Sequence, residues 1–129
     1  MAYKIVNAVE AKPGTSIVVD GVACVVKSND VSKTGKHGHM KCRIEAIGIT
    51  DNKKKVFVIG GHERLEVPLI EKRNAQVLSV TGDKASVMDL ESFETLDIQI
   101  DPDVQPHMAE GVQVEYWKIG EEKIIKRKI

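Results

Sequence analysis

The sequence predicts an all-β protein built from two small barrels. Its apolar clusters are short, rich in valine and isoleucine and bounded by turn residues, which is typical of β-strands. The aromatic side chains are few, so aliphatic side chains must fill the cores; they are Tyr3, Phe57, Phe93, Tyr116 and Trp117. The charge balance reverses near the middle of the chain, which indicates two pieces of about 65 residues each. A domain that small buries only about 60% of its unfolded surface, so an efficient closed barrel is expected.

The first hairpin has the clearest local signal. Asp20-Gly21 separates two β-branched runs, and this dipeptide favours a two-residue type I′ turn in which both residues take positive φ. Further strands are predicted at 41–50, 55–59, 63–68, 75–80, 85–89, 95–100, 112–119 and 123–129. Only residues 103–110 suggest a short helical turn, which Pro102 and Pro106 keep brief.

The predicted domain boundary lies in residues 67–74, which contain Pro68 and a cluster of charges. Residues 1–69 hold eleven Lys and Arg against seven Asp and Glu, whereas residues 70–129 hold eight against twelve. The predicted domains are therefore 1–69 and 70–129. In the second, one helical turn precedes the last two of about five strands, which is compatible with an oligonucleotide-binding (OB) barrel. The basic first domain is expected to face an anionic partner.

Composition also excludes several classes of protein. The formal net charge is zero, which argues against a generic polyanion binder. No apolar run approaches the roughly 18 residues needed to span a bilayer, so no membrane association is expected. Cys24 and Cys42 lack CxxC spacing and the first residues have no apolar signal core, so the protein is expected to be intracellular. Cys24 lies in an apolar run and is expected in the core.

The most informative segment is 32–41, Ser-Lys-Thr-Gly-Lys-His-Gly-His-Met-Lys, which is predicted to form a long hairpin loop. From Lys27 to Arg43 there are five Lys and Arg but only one acid, Asp30. Gly35 and Gly38 bracket Lys36-His37 and permit positive φ or the close approach of another macromolecule. If five residues on each side are free, the arm reaches on the order of 15 Å. Lys36 is therefore expected at an exposed tip.

Other chemistries fit this loop poorly. A phosphate-binding P-loop would need glycine in place of Asp30, a hydroxyl in place of His37 and a following helix. The Gly-x-x-Gly at 35–38 matches a KH domain only formally, because strands rather than helices flank it. A metal site of His37, His39 and Cys42 lacks carboxylate partners. Neither cysteine has an obvious partnered histidine, and no Gly-x-Ser-x-Gly elbow occurs. Neither an enzyme nor a metal protein is predicted.

Residues 32–39 with Lys41 resemble the modification loop of the hypusine-containing translation initiation factor 5A family, which is related to bacterial elongation factor P. Three further segments extend the resemblance over essentially the whole chain: Ile-Val-Asn-Ala at 5–8, Arg-Leu-Glu-Val-Pro at 64–68 and Val-Glu-Tyr-Trp at 114–117. The chain begins at its first strand region without the acidic extension of eukaryotic members, so it looks like the archaeal form. The resemblance implies an N-terminal SH3-like barrel and a C-terminal OB-fold.

The resemblance also implies a modification at Lys36. Deoxyhypusine synthase, an enzyme that uses NAD, would transfer an aminobutyl group from spermidine to give deoxyhypusine, with hypusine as a further state. In the family the modified arm enters the ribosome and supports the peptidyl-site tRNA, which relieves stalls. A cytoplasmic translation factor without a cofactor of its own is therefore expected. The residues expected to support modification and tRNA contact are Lys33, Thr34, Gly35, His37, Gly38, His39, Lys41 and Arg43.

Two alternatives stay open. One is a general RNA-binding module with an unmodified basic loop. The other is a structural protein with the same double-barrel plan, as in fungal Woronin bodies, which the intact loop motif disfavours. Residues 83–110 hold eight acids and one lysine, so the second barrel is expected to dock on ribosomal protein rather than RNA. Tyr116 and Trp117 are adjacent in a strand, so at most one can join a core.

Overall fold

A computed structural model describes residues 2–33 and 39–129. By contacts the chain divides into two compact units, Met1–Leu69 and Ile70–Ile129. Each unit is almost entirely β-structure and has its own buried aliphatic cluster. The two clusters determine which face of every strand is inward, and therefore which side chains are presented to solvent.

Within residues 2–33 and 39–69, the first unit contains six strands: β1 (Ala2–Asn7), β2 (Ser16–Val19), β3 (Val22–Lys33), β4 (Met40–Gly48), β5 (Lys54–Gly60) and β6 (Arg64–Pro68). Strands β2 to β5 form an antiparallel four-stranded sheet in chain order, while β1 pairs antiparallel with β6. Alternation along β4 buries Cys42, Ile44 and Ala46 and turns Lys41 and Arg43 outward. Cys24 is also fully buried, as predicted.

The turn between β2 and β3 confirms the Asp-Gly prediction. Asp20 has φ of 50° and Gly21 has φ of 78°, and Val19 pairs directly with Val22 across them. Positive φ at both central residues matches the right-handed twist of the flanking strands. The dipeptide therefore sets the register of the β2–β3 hairpin.

A short 3₁₀ turn at Ala8–Glu10 was not predicted from the sequence. The side chain of Asn29, in the middle of β3, donates from Nδ2 to the carbonyl oxygens of Ala8 at 2.9 Å and Ala11 at 3.0 Å. These bonds satisfy backbone acceptors that no strand partner reaches. They attach the middle of β3 to the chain that follows β1, just where the loop-bearing part of β3 begins.

The second unit contains β7 (Glu71–Thr81), β8 (Lys84–Asp89), β9 (Thr95–Ile100), β10 (Gln113–Ile119) and β11 (Glu122–Lys128). They close into a barrel in the order β10-β11-β9-β8-β7, with β7 returning to β10 and β9 pairing parallel to β11. The 3₁₀ turn Gln105–His107 lies within the predicted helical segment. Strand β9 has the predicted bounds.

Strand β7 begins at Glu71, four residues earlier than the sequence suggested. Its polar first residues form a ladder with β10, in which Lys72 pairs with Trp117 and Arg73 with Tyr116. The sequence places this charge cluster in the predicted domain boundary because charged residues are not typical of strands. The ladder and the buried partner of Arg73 stabilise the extended conformation there.

The buried partner of Arg73 is Asp89, whose side chain is only 1% exposed. Arg73 donates to both carboxylate oxygens, at 2.6 and 3.1 Å, and the Tyr116 hydroxyl donates at 2.5 Å. The backbone N–H groups of Glu91 and Ser92 donate to the same carboxylate at 2.8 and 3.0 Å. Arg73 therefore holds the pKa of Asp89 far below its usual range. Burial, and then the Asp89 charge, raise the pKa of Tyr116 to about 12.

Candidate functional site: the loop root

The β3–β4 hairpin carries the loop predicted to be functional. Its last two strand pairs are Ser32 with Lys41 and Lys33 with Met40, and these four residues are called the loop root. Ser32, Lys33 and Met40 were predicted to belong to the loop, so its predicted bounds were wrong at both ends, whereas Lys41 was also predicted to begin a strand. Small and cationic side chains are not typical of strands, so the sequence gives no strand signal at Ser32 or Lys33. Backbone pairing among β3, β4 and β5 nevertheless keeps these residues extended.

The strand pairs of the loop root bear on the expected reach of the loop. Strand β4 stays paired with β5 as far as Lys41 opposite Gly60. The estimate of about 15 Å assumed that five residues on each side of Lys36 lie outside the sheet, whereas Lys33 and Met40 are paired within it. The segment between Lys33 and Met40 joins two neighbouring strands of one sheet.

Five of the predicted site residues lie outside the described residues: Thr34, Gly35, Lys36, His37 and Gly38. The modification of Lys36 therefore stays a prediction at this point. The other four, Lys33, His39, Lys41 and Arg43, are described and exposed.

The described cations of the loop do not share one surface. Lys41 and Arg43 alternate with the buried Cys42, so both point outward from β4. Lys33 pairs with Met40, and cross-strand partners lie on the same face, so Lys33 is on the Cys42 side. The loop root thus presents positive charge on both faces of the hairpin rather than as one patch.

Among the described cations Lys33, Lys41 and Arg43, it is Arg43 that has an acidic partner. Its Nη1 lies 3.3 Å from Glu45 Oε1, and Lys54 Nζ reaches the same oxygen at 3.3 Å. A hydrogen bond from Ser28 to Glu45, at 3.0 Å, and then the Lys54 contact, lower the pKa of the Glu45 carboxyl. In contrast, Lys33 and Lys41 make no ion pair with any described residue. These two lysines are the freer cations for an anionic partner.

A concave surface of about 550 Å³ adjoins the loop root, and we call it the root concavity. It is lined by His39, Lys41, Gly60, His62, Glu63 and Arg64. Sequence analysis selected only the first two as site residues. The Gly-Gly-His turn after β5 could have signalled the others, because paired glycines permit a tight turn against another segment.

The metal site considered from His37, His39 and Cys42 is not supported at its cysteine. Cys42 has no exposed surface and belongs to the hydrophobic cluster of the first unit, where burial raises the pKa of its thiol. A protonated thiol inside an aliphatic cluster cannot reach a ligand on the surface loop. Within residues 2–33 and 39–129, no group of three His, Cys, Asp or Glu side chains is placed to hold a metal ion.

In the second unit, Tyr116 is buried whereas Trp117 is only partly buried, as their adjacency predicted. The Trp117 ring lies 4.7 Å from Lys72 Nζ and 5.6 Å from Lys126 Nζ, and its indole N–H donates to Glu115 at 3.0 Å. The ring is therefore covered by side chains of its own barrel. It is not a free stacking platform for a nucleic-acid base.

The fold and the site define a class: a protein of two small β-barrels with exposed basic side chains at the end of the β3–β4 strand pair of the first. Residues 4–59 match the family described as "Translation initiation factor 5A-like, N-terminal". The translation initiation factor 5A of Methanothermobacter thermautotrophicus is 37% identical over 129 residues, which are 99% of each chain. The chain belongs to the translation initiation factor 5A family.

Further comparisons agree. Translation initiation factor 5A of Thermoplasma acidophilum is 39% identical over 126 residues, covering 97% of this chain and 98% of that protein. A solved structure, eukaryotic translation initiation factor 5A from Methanococcus jannaschii, matches with a TM-score of 0.87 at 39% identity, covering 98% of this chain and 94% of that chain. A Naegleria fowleri protein described as belonging to the eif-5a family matches with a TM-score of 0.75 at 23% identity, covering 99% of each chain, and shows the fold alone.

The comparisons confirm the resemblance and the fold class, an all-β protein with an SH3-like and an OB-like barrel. They establish a role as a translation factor in protein biosynthesis. The relatives are named as initiation factors and not as enzymes. Among the helices of the described residues, none has the length and apolar character that crossing a bilayer requires.

Proposed function

We propose that this translation factor binds the ribosome and promotes elongation by presenting hypusine or deoxyhypusine at Lys36 to the peptidyl-site tRNA. The observation that carries the proposal is the strand pairing at the loop root, where Lys33 pairs with Met40. It holds both ends of the Lys36 segment on a sheet whose inward face packs on the core. The same positioning of tRNA would act at stalled ribosomes, at initiation and at termination.

The physical effect of the modification is reach. An added aminobutyl group lengthens the lysine side chain and gives it a second amine, so a cation can contact a phosphate or base edge beyond the range of lysine. A contact of this kind acts by positioning the acceptor end of the tRNA while the ribosome supplies the reaction centre. A rigid base is required, because a misplacement of about 1 Å removes much of such an effect.

The modification defines a second partner. Deoxyhypusine synthase would take the aminobutyl group from spermidine with NAD as its own cofactor, and the factor would be its protein substrate. After modification the factor needs no cofactor. Both partners are found where translation occurs, so the proposed location is the cytoplasm.

A general RNA-binding role with an unmodified loop is the alternative. Lys33 and Lys41 favour it as far as charge alone goes, because both are exposed and make no ion pair with any residue that the structure describes. It differs from the main proposal in two ways. Lys36 would carry no added mass, and Lys36→Arg would preserve function because the charge is kept.

The test is the mass of the Lys36-containing peptide from protein isolated from its native host. An aminobutyl or hydroxylated aminobutyl addition confined to Lys36 supports the proposal. A Lys36→Arg replacement in the same host should then accumulate stalled ribosomes, with Lys53→Arg, an exposed lysine distant from the loop root, as the control. Unmodified Lys36 in growing cells, with normal growth of the Lys36→Arg strain, would leave the general RNA-binding role.

A further inference from the structure

Strand β5 lies at the open edge of the four-stranded sheet in the first unit. It pairs with β4, and no second strand among the described residues pairs with its other side. The strand covers seven residues, Lys54–Gly60, and its pairing with β4 runs without a register shift. A regular edge strand of this length offers its unpaired backbone groups to a further strand.

The backbone groups that face the open edge follow from the pairing of β5 with β4. The Gly48 N–H donates to the Lys53 carbonyl at 2.9 Å, in register with the strand pairs that follow. Hydrogen-bonded and non-hydrogen-bonded pairs alternate in an antiparallel ladder, so Phe57 directs its N–H and C=O toward β4. Val56 and Val58 therefore direct theirs toward the open edge. These are the groups that a further strand would bind.

The side chains of β5 do little to protect this edge. Natural proteins block edge strands with lysines, prolines or bulges. The two lysines of β5, Lys54 and Lys55, stand at its beginning, and each forms an ion pair with an acid of its own unit. The rest of the strand has no charge and no proline. Val56 and Val58 are 47% and 65% exposed, so an apolar surface accompanies the unpaired backbone.

A second copy of the same strand fits this edge in an antiparallel register. Centred on Phe57, the register uses the whole length of β5 and places Val56 of each copy opposite Val58 of the other. That pairing joins the backbone groups that face the open edge on both copies. Lys54 falls opposite Gly60, so no two like charges meet across the strand pair. A self-complementary contact of this kind closes after two chains.

Both faces of the joined strands would bury apolar side chains. On the inner face, Phe57 is half-buried against the aliphatic cluster of its unit. The two copies of Phe57 would meet at a non-hydrogen-bonded position, where cross-strand side chains are closest. On the outer face, the valines of both copies form one patch. Arg43 of one copy, beside Val58, and Glu45 of the other, beside Val56, then lie at the two ends of one row across the sheet, with opposite charges.

We propose that a second copy of this chain pairs with the open edge of β5, which joins two four-stranded sheets into one. One strand pair buries less surface than a permanent dimer needs, so we expect a dissociation constant on the order of 10 to 100 µM. Gly60 lies beside Lys41 of the loop root, so the two-fold axis places the two loop roots at opposite ends of the joined sheet. A dimer would therefore present one Lys36 segment to a given tRNA. That consequence rests on the proposed function, whereas the strand pairing does not.

The test is sedimentation velocity of the full-length protein at loading concentrations from about 1 to about 500 µM. The unchanged protein should pass from monomer to dimer over this range. Val58→Lys adds a charge at the edge and should raise the dissociation constant about tenfold or more. Val31→Lys is the matched control, because Val31 is an exposed valine on β3, two strands from the edge. It should leave the dissociation constant nearly unchanged.

Paired replacements test the register. Val56→Lys combined with Val58→Glu places opposite charges across the strand pair, so this protein should recover most of the affinity that Val58→Lys loses. Val56→Lys combined with Val58→Lys places like charges opposite one another, and this protein should stay monomeric. Both positions are exposed, and far-UV circular dichroism checks that each variant keeps its fold.

Three results would overturn the proposal. A monomer at every concentration would mean that β5 does not pair with a second copy. A dimer that Val58→Lys leaves intact would have its interface at another surface. Equal dissociation constants for the two doubly changed proteins would exclude the register. If Lys36 proves unmodified while Val58→Lys still separates the dimer, the proposed function fails and the strand pairing stands.

Discussion

The loop root and the Asp89 cluster use similar residues in opposite ways. In the second unit, Arg73 is bound to Asp89 by two hydrogen bonds, and the carboxylate is buried and fully surrounded by donors. In the first unit, Arg64 and Lys41 are exposed and have no described acidic partner. A charge that stabilises a fold is paired inside the protein, whereas a charge that serves a ligand is left without a partner until the ligand arrives.

The largest change in stability is expected for Asp89→Asn, which keeps the shape of the side chain but removes its charge. We expect the free energy of unfolding of the second unit to fall by about 3 kcal/mol, because Arg73 and the buried Tyr116 hydroxyl lose a charged partner. Urea unfolding followed by fluorescence measures this directly, since the single Trp117 lies in that unit. Asp97→Asn, at an exposed position of β9, is the control and should change stability by less than about 0.5 kcal/mol.

The same cluster predicts how stability depends on pH at the alkaline end. The pKa of Tyr116 is raised from 10.0 to about 12, so its contribution is fully present below pH 10 and is lost as the pH rises toward 12. The loss should be on the order of 2 kcal/mol in urea titrations. Tyr116→Phe has no such group, so the stability difference between the two proteins should narrow over this range. Parallel curves would contradict the assignment.

At acid pH the free energy of unfolding depends on pH with the opposite sign, because it falls as the pH falls. The pKa of Asp89 is lowered from 3.8, so its contribution is present above the usual carboxyl range and is lost progressively as the pH falls below it. The free energy of unfolding of the Asp89→Asn protein should therefore change less with pH in the acid range than that of the unchanged protein.

Local sequence signals predicted the parts of the fold that depend on a few neighbouring residues. The Asp20-Gly21 turn and the bounds of β9 are examples, since turn chemistry and alternation are local properties. The motif around Lys36 could likewise be identified as a candidate site from adjacent residues alone.

The missed features depend on residues far apart in the chain. Arg73 reaches Asp89 across the pairing of β7 with β8, and this contact explains why a charged segment is a strand. Gly61 lies close to Met40 because β4 pairs with β5, which brings the turn after β5 against the loop root. Propensity cannot report such contacts, because they arise only when the sheet registers are set.

Gly61→Ala tests how tightly the turn between β5 and β6 packs against the loop root. Its new Cβ would lie 2.9 Å from the Met40 Cβ, so the turn or the loop root must shift. We expect the free energy of unfolding to fall by about 1 kcal/mol. Overpacking destabilises the fold, and the lower entropy of the unfolded chain with alanine offsets only part of that effect. Amide hydrogen exchange of β3 and β4 should accelerate. Gly60→Ala is the matched control, because its Cβ would meet only Glu63 Cγ at an ordinary 3.4 Å. Equal effects of the two variants would argue against tight packing between Gly61 and Met40.

The smallest expected effect concerns the stability of the proteins changed at the root concavity. Arg64→Gln and Lys41→Gln should alter the free energy of unfolding by less than about 0.5 kcal/mol, because neither cation has a described acidic partner to lose. Arg73→Gln removes the same charge in the second unit, and there stability should fall clearly because Asp89 stays buried without its partner. Thermal unfolding by calorimetry compares all three proteins. A large loss of stability for Arg64→Gln would show that this arginine is structural.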